Sequence, residues 1–179
     1  PQVTAPQIPD MAYDPDRQLK DIEFSGENGT AMVDGVLTEV PGTWSLPDSE
    51  LVPMAGTMYY LALFTPEDSQ NFEVVKTMVT IEVSKAIPEI VTIPEIGKLT
   101  YGESLGDAAL QGGKALYLGK VVDGSFAFAD PAITPTVKDS GTSYEILFVP
   151  EDTKNYQTVS TMAEIQVEPA LTAPNMPEE

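Results

Sequence analysis

The sequence contains neither cysteine nor histidine. There is therefore no disulfide framework, no His or Cys zinc site, and no Ser-His-Asp or Cys-His nucleophile. The compartment stays open, because secreted and cytosolic domains alike can lack cysteine. Basic residues are scarce: 9 Lys and Arg stand against 28 Asp and Glu, a net charge of −19. That field repels nucleic acid, anionic lipid and other polyanions, so nucleic-acid binding is set aside. No apolar run is long enough to span a bilayer, and no membrane insertion is expected of these residues. A sustained 3.6-residue period is missing too; Asp107–Leu110 offers one helical turn at most. Leu110-Gln-Gly-Gly113 lies between strand signals with no helix after it, so it is no phosphate-cradling loop. Glycoside hydrolysis needs two acids across a cleft, whereas these acids fall in turns or at alternate strand positions. An enzyme is not expected.

What is present is a repeat. Phe64-Thr-Pro-Glu-Asp-Ser-Gln-Asn-Phe72 returns 84 residues later as Phe148-Val-Pro-Glu-Asp-Thr-Lys-Asn-Tyr156. The match continues without a gap through Val75/Val159, Thr77/Thr161, Met78/Met162, Ile81/Ile165, Val83/Val167 and Ala86/Ala170. Self-similarity at a fixed period is the mark of one supersecondary unit written more than once. The expected division is residues 1–86 and 87–170. Residues 171–179 then read as the start of a third unit, since Thr4, Ala5, Pro6 and Pro9 recur at Thr172, Ala173, Pro174 and Pro177. A unit of this size buries roughly 60–65% of its unfolded surface, which suits a thin two-layer core.

Within each unit the signals are those of strands. Tyr60, Ala62 and Phe64, like Tyr144, Ile146 and Phe148, put apolar groups at every second position. Val75, Thr77, Val79, Ile81 and Val83 do the same against Thr80 and Glu82. Gly and Pro punctuate the intervals, and short strands with regular turn signals predict an all-β chain of two sandwiches. A β-grasp unit is the alternative, and it requires a helix across the sheet near Leu105–Leu110. The connection Ser84-Lys-Ala-Ile-Pro-Glu-Ile90 has Pro and no Gly, which predicts a stiff link.

The best-marked local element is the turn Pro66–Asn71 and its partner Pro150–Asn155. Pro ends the strand, Asp caps the turn through its side chain, and Asn suits a left-handed backbone. It predicts the hairpin joining the last two strands. Glu67, Asp68, Glu151 and Asp152 are hard oxygen donors and therefore calcium candidates, although two carboxylates per turn are too few for a dedicated cage. A Lys–Asn isopeptide bond is a second possibility at Asn71 or Asn155. No lysine recurs with them, however: Lys76 aligns with Ser160 and Lys154 with Gln70. Tyr60 and Tyr144, at strand entrances, suggest an aromatic corner in which the hydroxyl returns to upstream backbone. Trp44 matches Phe126, so it reads as core. Tyr59 faces Ser143 and Tyr117 faces Val33 across the repeat, which leaves these two unmatched aromatics as the ligand-surface candidates.

Leu99-Thr-Tyr-Gly-Glu-Ser-Leu105, Leu110-Gln-Gly-Gly113, Gly124-Ser-Phe-Ala-Phe128, Tyr144 and Phe148–Tyr156 together resemble the tandem Ig-like repeats of bacterial cell-surface proteins, common in Gram-positive and gut bacteria. The resemblance covers nearly all of the second unit. The first departs from it, with Tyr13-Asp-Pro in place of Tyr-Gly-Glu and Phe72 in place of Tyr. It implies extracellular display, a spacer or adhesin role, other repeats of the chain as neighbours, and no catalytic residues or cofactor. Direct binding of host glycan or protein, through unmatched loops such as Glu27–Val40, is one alternative. An accessory module of a secreted glycoside hydrolase is the other.

Overall fold

The computed structural model describes residues 2–25 and 28–172. The chain divides into two compact units, Pro1–Ala86 and Ile87–Glu179. It is all-β: among the described residues the only helical elements are three 3-10 turns of three residues each. The helix that a β-grasp unit needs is therefore missing among the described residues, and Leu105–Asp107 is one such short turn.

In unit 1, β1 (Met11–Ala12), β4 (Gly42–Ser45), β5 (Gly56–Pro66) and β6 (Val75–Ser84) form one sheet in the order β1-β6-β5-β4. The alternation in β6 dictates its burial: Val79, Ile81 and Val83 are buried while Lys76, Met78, Thr80 and Glu82 are exposed. Antiparallel register sets Ala62 opposite Thr77 and Tyr60 opposite Val79, so the apolar sets share a face. β1 closes this sheet by pairing parallel to the end of β6, Met11 opposite Val83. β2 (Gly29–Val33) and β3 (Val36–Val40) form a separate hairpin, joined to the first residues by an antiparallel bridge between Gln2 and Thr30. The core gathers Leu19, Ile22, Leu46, Ala62, Val79, Ile81 and Val83.

Unit 2 repeats the scheme. β13 (Gly124–Phe128), β14 (Ser143–Pro150) and β15 (Val159–Glu164) form the antiparallel meander. β9 (Leu99–Thr100) lies parallel to β16 (Val167–Glu168), the counterpart of β1 on β6. β7 (Glu89–Thr92) pairs with β11 (Lys114–Tyr117), which forms a hairpin with β12 (Lys120–Val121). β8 (Glu95–Ile96) pairs with β10 (Leu110–Gln111), where unit 1 has a single bridge between Gln7 and Ser25. The core holds Leu99, Leu105, Phe128, Ile146, Ala163, Ile165 and Val167. One difference is local. The last strand of unit 1 is continuous, whereas in unit 2 Gly141 N–H bonds to Ile165 O and Val167 N–H donates to Ser140 Oγ, which splits it into β15 and β16.

Two glycines in equivalent positions explain how the large rings fit. A Cβ on Gly42 would come within 2.7 Å of both Phe64 Cε2 and Thr65 O. One on Gly124 would meet Val149 O at 2.5 Å and Phe148 Cζ at 2.6 Å. Each ring fills the space of a missing side chain, and Trp44 and Phe126 tilt against the two rings at centroid distances of 5.2 and 5.1 Å. Trp44 is thus packed in the core region, as expected from its match to Phe126.

Candidate functional site

The repeated turn is a closed hydrogen-bond box. Asp68 Oδ1 accepts the Asn71 backbone N–H at 3.2 Å and Oδ2 accepts the Asn71 side-chain amide at 2.7 Å. Asp152 and Asn155 repeat these bonds at 3.1 and 2.7 Å. Phe72 N–H and Tyr156 N–H then bond to the carbonyls of the same two aspartates. The Asn71 amide holds the Asp68 carboxyl below its usual value, because those bonds favour the charged form. Both oxygens of each Asp are therefore engaged inside the turn. Glu67 and Glu151 are exposed, and their backbone N–H groups bond across to Pro41 and Asp123. Among the described residues no group of three or more acidic side chains is placed to hold a metal ion. The asparagine amides that an isopeptide bond would consume act here as donors to aspartate.

Asn71 and Asn155 do not adopt the left-handed backbone expected of them. Among the described non-glycine residues that conformation belongs to Asp34 (φ 50°) and Leu118 (φ 49°). These are the first residues of the two-residue turns Asp34-Gly35 and Leu118-Gly119, which join β2 to β3 and β11 to β12. Such hairpin turns require positive φ at both central positions, and Asp-Gly is a favoured pair. Nor is the aromatic corner formed. Among the described residues neither the Tyr60 nor the Tyr144 hydroxyl bonds to upstream backbone. Both rings instead pack on their cores, and burial pushes the Tyr60 hydroxyl up.

The two unmatched tyrosines differ in setting. Tyr117 is half-buried and packs edge-on against Tyr156 at 5.9 Å, so its ring is occupied within its own unit. In unit 1 Val33 stands where Tyr117 would be, and Asn71 is exposed where Asn155 is buried. Tyr59 is 69% exposed on the outer face of the β5–β6 sheet. Thr80 lies opposite it, Leu61 lies opposite Met78 in the next outward pair, and both Leu61 and Met78 are exposed. On this outer face Tyr59 is the one aromatic left unmatched by the repeat. The signal for its neighbours was available at the same spacing, since Leu61 faces Glu145 and Thr80 faces Glu164. The hairpin of residues 29–40, a candidate binding loop, exposes Met32, Val36 and Leu37; Glu27, at its start, lies outside the described residues.

No protein-family profile, curated protein sequence or solved structure matches this chain.

Proposed function

We propose that the chain is a non-catalytic segment of a larger bacterial cell-surface protein, a spacer or adhesin stalk built from two Ig-like units. The observation that carries this reading is that strand pairing recurs between the units while the exposed chemistry does not. A three-stranded meander closed by a parallel first strand, with a hairpin of its own beside it, suits an Ig-like sandwich. Tandem units of one scaffold add reach by repetition, and an acidic surface keeps them apart from polyanions. No helix among the described residues is long and apolar enough to cross a membrane.

The test is display. An antibody raised against the two-unit chain should label intact cells of the source bacterium, and brief external protease should remove the signal. Labelling only after permeabilisation would rule out the surface role. A second reading, direct binding through the β2–β3 hairpin, draws support from Met32, Val36 and Leu37, which are 64–65% exposed. Binding to a glycan or host-protein array that Leu37→Asp abolishes would favour it.

A further inference from the structure

The outer face of the unit 1 sheet departs from the acidic character of the chain as a whole. Where the two strands pair with each other, its outward positions on β5 are Thr57, Tyr59, Leu61 and Leu63, and on β6 they are Lys76, Met78, Thr80 and Glu82. Register places them in four rows: Thr57 with Glu82, Tyr59 with Thr80, Leu61 with Met78, and Leu63 with Lys76. The two central rows carry no charge, and Tyr59, Leu61 and Met78 are 69%, 40% and 54% exposed. One end row carries the only cation of the set and the other the only anion.

This order is self-complementary. A second copy laid face to face with its strands reversed brings Lys76 over Glu82 of the partner and Glu82 over the partner's Lys76. The same operation sets Leu61 on Tyr59 and Met78 on Thr80 in both directions, as a two-fold interface requires. The charged ends are separated by six residues, roughly 20 Å of strand, and bracket the apolar centre. Unit 2 keeps only Leu147 and Met162 of this set and lacks both charged ends. Its matching positions are Ser143, Glu145, Ser160, Glu164 and Gln166 around Leu147 and Met162, so the same operation would set Glu145 on Ser143 and Glu164 on Met162, with no cation to meet either carboxylate.

We infer that this sheet face of unit 1 is a homotypic docking surface whose partner is a second copy of the chain, with strands reversed. The face is small, so one contact is weak, with a Kd on the order of tens to hundreds of micromolar. On a repeated, surface-bound chain many such contacts act together, and avidity supplies what each lacks. The inference stands whether or not the segment serves as a spacer.

Sedimentation velocity of the two-unit chain, from about 5 μM to about 1 mM in about 0.15 M salt, tests it directly. The expected result is a concentration-dependent shift from monomer to dimer. Leu61→Glu, which installs the unit 2 residue at an exposed position, should leave monomer throughout with an unchanged thermal transition. Lys76→Glu should weaken association by about threefold or more, and Lys76→Glu with Glu82→Lys should restore it, since that pair exchanges the charges and preserves complementarity. A wild-type chain that remains monomeric overturns the inference, and so does a Leu61→Glu chain that associates like the wild type. Equal association of the single and double charge variants overturns the reversed-strand arrangement, and with it the case for a second copy.

Discussion

The two units keep the same interior and differ where they meet solvent. Phe64 and Phe148 sit over Gly42 and Gly124 in the same way, and both turn boxes use Asp and Asn with the same bonds. Yet one outer sheet face is apolar with charged ends, and the other carries Glu145 and Glu164. Interior positions are constrained by close packing, which makes a change of even one methylene felt. Exposed strand positions carry no such constraint. The shared set therefore marks the scaffold, and the divergent set marks where recognition can differ.

The comparison breaks most decisively at the buried rings. Phe64→Ala and Phe148→Ala should each cost about 3–5 kcal/mol to the unit concerned, read from denaturant midpoints at constant slope. A loss below about 1 kcal/mol in one unit would mean that the two cores are not equivalent. Next come Gly42→Ala and Gly124→Ala, where the added methyl collides with ring and carbonyl; the expected cost is about 1–3 kcal/mol in each. Reducing the facing Phe to Leu should relieve only the ring part of the collision, since the Thr65 and Val149 carbonyls remain.

The turn box should separate the units. Asp152→Ala removes two hydrogen bonds from the buried Asn155, at an expected cost of about 1–3 kcal/mol. Asp68→Ala leaves Asn71 facing water and should cost less. Equal losses would show that the burial of Asn155 does not matter. Leu118→Asn is the smallest of the stability effects and has the opposite sign. It replaces a leucine held at φ 49° by a residue that tolerates that conformation, as Asp34 does in unit 1. The expected gain is about 0.5–1 kcal/mol, visible as a higher melting temperature.

Acid provides a further contrast. Ser104 holds the Asp107 carboxyl below its ordinary value, and Thr136 does the same for Asp139. A carboxylate with a lowered folded-state pKa contributes stability that is complete above its unfolded pKa and is lost as pH falls through the folded value. These two caps should therefore fail only below the usual Asp range. Asp107→Asn or Asp139→Asn should flatten the stability loss of unit 2 in that acid window and leave its slope near neutrality unchanged.

The strands were legible because alternation is written into them: Val75 to Val83 announces which face is inward with no tertiary information. The hairpin between the last two strands was legible for the same reason, since Pro, Asp and Asn mark its turn. Other features depend on the whole chain. The parallel closure of Met11 against Val83 joins residues far apart in sequence, and two-residue strands carry no readable period. The left-handed residues were misplaced because Asn155 looks suited to that backbone locally. The tight β-turns put the requirement on Asp34 and Leu118 instead. The candidate face was half legible: Tyr59 stands out as an aromatic unmatched across the repeat, and Leu61 and Thr80 differ at the same spacing, but their pairing into rows needs the register.

The most direct test is a dilution series followed by amide NMR on the two-unit chain. The account predicts concentration-dependent shifts confined to the outward residues 57–63 and 76–82, with residues 143–147 and 160–166 unmoved. Shifts of equal size in both units, or none in either over the same range, would contradict it.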